Sequence, residues 1–110
     1  MISMKNFRTL AQTKKDIETL QKQINQNHRY ISLIENYKPE TFTQHVIHEY
    51  VYEGNLIRTA ENLNSLGHRI NGRRIESQDV SIIIQSQPAH DDFLHKEVRR
   101  LYLKKIRNRS

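Results

Sequence analysis

The chain has no cysteine, only two prolines and three glycines in 110 residues, and no long apolar run. Without thiols it has neither a disulfide framework nor a thiolate zinc site, which fits a reducing compartment and sets the expectation of a cytoplasmic protein. No stretch approaches the ~20 apolar residues that span a bilayer, and the N-terminus lacks the apolar core of a signal peptide, so no membrane partner is expected. Three glycines are too few for most phosphate-cradling loops, and no G-x-S-x-G, Walker or dinucleotide fingerprint occurs. His45 and His48 stand in H-V-I-H-E, an order that matches neither H-E-x-x-H nor H-x-x-E-H, and His90 and His95 lie far along the chain. Asp91 and Asp92 are neighbours at a predicted helix start, where carboxylates cap rather than catalyse. A non-enzyme is expected, with no cofactor, no metal and no small-molecule substrate.

Positive charge is plentiful: 18 Lys and Arg against 12 acids give a formal net charge of +6, with a pI near 9.8. This favours an anionic partner, nucleic acid ahead of an acidic membrane or an acidic protein. The charge is concentrated at the ends. Residues 1–38 carry seven Lys and Arg against three acids, residues 39–88 four against six, and residues 89–110 seven against three. A hydrophobic content of 35% limits a single core, so a partner subunit is expected.

A heptad frame set from Leu10 places Leu10, Ile17, Ile24 and Ile31 at a, and Thr13, Leu20, Asn27 and Ile34 at d. Isoleucine at a with leucine at d favours a parallel homodimer, with Asn27 fixing register. The predicted interface is Leu10, Ile17, Leu20, Ile24, Asn27, Ile31 and Ile34. The competing reading is one amphipathic helix from Met4 to Tyr37 folding back over its own domain. Lys38-Pro39 should end this helix, because the residue before proline is pushed out of the α region. Thr41 or Thr43 can cap a second helix with Phe42, Val46, Ile47, Tyr50 and Val51 on its apolar side, closed by Gly54.

The stretch 55–85 predicts two short helices joined by a basic turn. Asn55 caps the first, whose Leu56, Ile57, Ala60, Leu63 and Leu66 recur at helical spacing before Gly67 stops it. Ser77 caps the second, which turns Val80, Ile83 and Ile84 inward and places Asp79 at the positive end of its dipole. Its other face carries Gln78, Ser81, Ile82 and Gln85, the predicted base contacts: glutamine suits the N6/N7 edge of adenine and isoleucine the thymine methyl. Between the helices, Asn71-Gly72 reads as a turn, and Arg69, Arg73 and Arg74 around it, with Arg58, are predicted phosphate contacts.

Thr59, Ala60, Leu63, Asn64 and Gly67 in T-A-x-x-L-N-x-x-G, followed by Gly72, Val80, Ile83 and Pro88, resemble the DNA-binding helix-turn-helix segment of large serine recombinases, and are similar to small phage and prophage regulators. The resemblance covers residues 55–88. It departs at Ile75, where the recombinases usually carry an aromatic residue, and nothing upstream could hold a recombinase catalytic domain. It implies a binding role only.

A last helix is predicted from Asp91 and Asp92 to about Arg107. Phe93, Leu94, Val98, Leu101, Tyr102 and Ile106 make its apolar stripe, and Lys96, Arg99, Arg100, Lys104, Lys105, Arg107 and Arg109 crowd its other face and end. Lys104, Lys105 and Arg107 are predicted phosphate contacts; Arg99 and Arg100 fit a solvated face equally well. Tyr30, Tyr37, Tyr50, Tyr52 and Tyr102 do not interleave with a basic run, so packing, not single-strand stacking, is their expected role.

The expected fold is all-α: an N-terminal coiled-coil-like dimerisation helix (1–38), a trihelical helix-turn-helix domain (39–88) and a C-terminal basic amphipathic helix (89–110). The expected function is a homodimeric, sequence-specific double-stranded DNA-binding transcriptional regulator of phage or mobile-element type. The alternative is a phage packaging or assembly adaptor that uses the coiled coil and basic tail to bind protein.

Overall fold

The structure, a computed structural model, describes residues 8–108. Five helices follow in order: α1 (Leu10–Glu35), α2 (Phe42–Glu53), α3 (Leu56–Ser65), α4 (Ser77–Gln85) and α5 (Phe93–Arg107). Among the described residues the sole extended pairing is an isolated bridge between Ile70 and Arg73, and no helix is long and apolar enough to cross a membrane. Met4 and Arg109, expected in the first and last helices, lie outside the described residues. The chain divides between Ser32 and Leu33 into two compact units.

The described residues of the first unit are nearly all helix. Thr9 and Gln12 form a reciprocal cap: the Gln12 N–H donates to Thr9 Oγ1 at 3.1 Å and the Thr9 N–H to Gln12 Oε1 at 3.0 Å. No side chain of α1 is buried. The isoleucine stripe is open, with Ile17 62% and Ile24 48% exposed. At ~1.5 Å per residue the helix is about 39 Å long.

α1 ends at Glu35, before the expected stop at Lys38-Pro39. Tyr37 accounts for the difference. Its ring stacks on His48 at 5.8 Å and its hydroxyl donates to Asp92 Oδ2 at 2.8 Å, contacts that draw it out of the helical path. Burial, then Asp92, raises the Tyr37 phenol above its ordinary value.

In the second unit the caps choose the boundaries. Thr41, not Thr43, caps α2, reciprocally with Gln44, and Gly54 closes it at φ 65°. The Asn55 side chain accepts from the Arg58 N–H at 3.0 Å to start α3. Glu76, not Ser77, is the N-cap of α4; the reason is Asp79, whose carboxylate reaches back to accept the Glu76 N–H at 2.8 Å. Asp92 caps α5 by accepting from the His95 N–H at 2.9 Å.

The core is Val46 and Ile47 of α2, Ala60 and Leu63 of α3, Val80 and Ile84 of α4, Leu94, Val98 and Tyr102 of α5, and Ile75 from the loop. α2 packs against α3, α4 and α5, and α4 against α3 and α5, so α5 belongs to the same unit as the three helices before it.

Several expected core positions face outward. On α3, Ile57 and Leu66 are exposed while Thr59 and Asn64 are buried. These polar side chains can occupy the interior because each has partners there: Thr59 Oγ1 donates to the Asn55 carbonyl at 2.7 Å, and Asn64 is satisfied by Ile75. On α5, Phe93 (63% exposed), Leu101 and Ile106 point out while His95 is buried. The His95 Nε2 lies 3.1 Å from the Ile84 carbonyl, satisfying the last turn of α4. Ile83 is only half-buried.

Between α3 and α4 the chain forms a two-residue hairpin. Asn71 at φ 50° and Gly72 at φ 83° make the turn, and Ile70 and Arg73 exchange backbone hydrogen bonds of 2.9 and 3.0 Å. Two consecutive positive φ values define a type I′ turn, the geometry for which Asn-Gly is suited. Asn64 then fixes the hairpin's exit, donating from Nδ2 to the Ile75 carbonyl at 2.9 Å and accepting the Ile75 N–H at 2.8 Å.

Candidate nucleic-acid interface

α4 is a nine-residue helix with its inward side filled by Val80 and Ile84, so residues half a turn away must face solvent. Gln78, Ile82 and Gln85 do so, at i, i+4 and i+7. Ile82 is 60% exposed, high for an isoleucine with an apolar core beside it. The Gln78 side chain has no partner among the described residues, whereas Gln85 Nε2 donates back to Ser81 Oγ at 3.1 Å.

Ser81 departs from the expected set. It is half-buried against α5, with Oγ 2.7 Å from the Tyr102 hydroxyl. Ser81 Oγ also accepts from Gln85 Nε2, and its contact with Tyr102 braces α4 on α5. The outward face is uncharged and comprises Gln78, Ile82 and Gln85.

The loop arginines divide by what they hold. Arg69 Nη1 donates to the Asn64 carbonyl at 3.0 Å and to the His68 carbonyl at 2.6 Å, closing the C-terminus of α3. Arg73 grips Asp79 with two parallel bonds of 2.8 Å, a fork-to-fork pair that ties the hairpin to the start of α4. Arg74 and Arg58 are exposed, and their guanidinium groups have no partner among the described residues.

The bond from Arg73, with the Glu76 N–H second, holds the Asp79 carboxyl down to about 2 from an ordinary 3.8. Its folded value is thus below its unfolded one, so the stabilisation is complete above pH ~4 and disappears as pH falls towards ~2. Asp79→Asn should therefore melt below the wild-type protein at pH 7, with the gap closing between about pH 4 and pH 2 in thermal denaturation followed by circular dichroism. A gap unchanged across that window would mean that the charge of Asp79 contributes nothing.

Arg99 Nε donates to the Gln85 carbonyl at 3.0 Å. With His95 on Ile84, α5 thus supplies two caps to the C-terminal end of α4. The contacts of Gln85 with Arg99 and of Ser81 with Tyr102 run the two helices in opposite directions, so Lys104, Lys105 and Arg107 lie towards the start of α4. Lys104 and Lys105 are exposed. The structural roles of His95, Arg99, Arg69 and Arg73 escaped the sequence reading; the i, i+4 spacing of His95 and Arg99 was the available signal for the caps.

Three further histidines, His45, His48 and His68, join aromatic clusters. His45 and His68 rings lie 5.2 Å apart beside Phe42, and His48 lies between Tyr37 and Tyr52. Among the described residues no three His, Cys, Asp or Glu side chains come together as a metal site. An open groove of about 400 Å³ runs beside α4, lined by Phe42, Arg69, Ile70, Asn71, Asp79, Ile82 and Ile83.

No protein family, curated protein or solved structure matches the chain.

Proposed function

We propose that the protein binds double-stranded DNA in a sequence-dependent way as a homodimer, a regulator of the phage or mobile-element type that the helix-turn-helix resemblance implies. α1 supplies the dimer contact and α4 enters the major groove. The observation that carries this reading is the outward face of α4: Gln78, Ile82 and Gln85 are exposed and uncharged on a helix bonded to α5 and packed against α2 and α3. A solvated surface helix would ordinarily present charge there, whereas amide and methyl groups are what base edges in the major groove accept. Basic residues frame this face, with Arg74 at the hairpin and Lys104 and Lys105 at the end of α5.

The adaptor reading has one specific observation in its favour, the open groove in which Ile82 and Ile83 meet Phe42 and Ile70. An apolar groove beside an exposed isoleucine is also what a partner helix would use.

Substitution on the outward face separates the two. Gln78→Ala and Gln85→Ala should each lower the preference for the cognate site by ~1–3 kcal/mol at one base position, leaving affinity for random duplex and thermal stability almost unchanged. Val80→Ala, from the core, should instead lower stability first. The reading fails if both glutamine variants keep the wild-type preference, or if either unfolds the domain.

A further inference from the structure

We propose that the solvent face of α5, not the arginine hairpin, is the principal phosphate-binding surface, formed by Lys96, Arg100, Lys104 and Arg107. This rests on the duplex-binding reading and assigns its electrostatic part.

The helix geometry selects these residues. α5 buries Leu94, His95, Val98 and Tyr102; at ~100° per residue, the opposite side carries Lys96, Arg100, Lys104 and Arg107 within an arc of about 80°. All four are exposed. Glu97 is the single acid of α5, and it pairs with Arg100. Lys96 is fixed at the head of the row by its bond to the His90 carbonyl and by Phe93, whose ring centroid is 5.2 Å from its Nζ. From the first cation to the last is about 16 Å, the length along which one DNA strand presents roughly five phosphates.

Position supports the same assignment. α2 packs against both α4 and α5, and α4 against α5. With α2 behind the pair, their outward faces open on the same side, so a duplex seated on Gln78 and Ile82 meets the α5 row alongside.

The hairpin is less suited to the task. Arg69 is committed to the end of α3 and Arg73 to Asp79, so a phosphate would have to displace bonds that hold the loop, whereas the Arg100–Glu97 pair lies within one helix and ties no loop in place. Arg74 alone remains. An anionic lipid surface fits the row less well, because a helix lying on lipid places apolar side chains centrally and cations at the flanks. Here four cations run the length of the face; Phe93 shares their arc but only in the first turn, and Leu101 lies at the edge.

The test is a fluorescence anisotropy titration of the full chain on a random duplex of about 30 base pairs between roughly 50 and 200 mM salt, since each neutralised phosphate contributes ~0.9 to the slope of log K against log salt. Arg100→Gln/Lys104→Gln/Arg107→Gln should make the slope shallower by about two to three. Arg69→Gln/Arg73→Gln should lower the melting temperature while shifting the slope by less than about one. Circular dichroism checks folding; if the triple variant loses helix, Lys104→Gln alone should reduce the slope by ~0.9. A wild-type slope in the α5 variants overturns the proposal, as does a larger loss in the hairpin pair. Duplex binding with an unchanged slope leaves the reading of α4 standing, whereas absence of binding to any duplex overturns both. Binding to vesicles containing anionic lipid, without binding to duplex, would reassign the row to a membrane and overturn the proposal.

Discussion

Replacing Asn64 with alanine should destabilise the second unit by roughly 2–6 kcal/mol, because it strips partners from two backbone groups of a buried residue at ~1–3 kcal/mol each. Ile75 is 3% exposed, and Asn64 satisfies both its N–H and its carbonyl. A unit of this size has roughly 4–11 kcal/mol of stability in total, so the variant should approach unfolding at room temperature. The melting temperature should fall by about 10 °C or more, at ~4–8 °C per kcal/mol. Asn62 on the same helix is the control. It is half-buried and bonds side chains, Glu49 at 3.3 Å and Glu53 at 2.7 Å, so Asn62→Ala orphans no backbone group. Its cost should stay near ~1 kcal/mol. Equal losses for the two variants in urea denaturation would mean that the clip on Ile75 does not hold the hairpin in place.

Ile17→Gln combined with Ile24→Gln should convert a dimer of about twice 13.2 kDa into a monomer. Both side chains are exposed in the single chain, and burying an aliphatic side chain of this size contributes ~1.5–3 kcal/mol. Four such side chains per dimer amount to about 6–12 kcal/mol, or at least four powers of ten in the dissociation constant at ~1.4 kcal/mol each. The same variant should lose helical circular dichroism, because a helix with no buried face depends on a partner for most of its stability. Light scattering that still reports a dimer would place the interface elsewhere.

Local signals made much of the second unit legible. Thr41, Asn55 and Gly54 occupy the caps that their side chains and backbone freedom suggest, and Asn71-Gly72 forms the turn its composition requires. What could not be read depends on partners far along the chain. Asn64 turns inward because Ile75 is there to meet it, and an apolar count on α3 instead favours Ile57 and Leu66. The outward set on α4 was legible in Gln78, Ile82 and Gln85 from the 3.6-residue period. Ser81 was not, because what removes it is Tyr102, 21 residues later. Arg69 and Arg73 follow the same rule: charge is visible in sequence, but the hydrogen bond of Arg69 to the Asn64 carbonyl and the ion pair of Arg73 with Asp79 are properties of the folded loop.

The account rests on recognition of duplex DNA through α4. The most direct measurement is an anisotropy titration of the wild-type chain on a duplex from the region upstream of its own coding sequence and on a scrambled duplex of equal length. The account predicts saturable binding that weakens with salt on both, and tighter binding to the upstream duplex by about 10³-fold or more at near-physiological salt. Equal affinity for the two duplexes, or none for either, would contradict it.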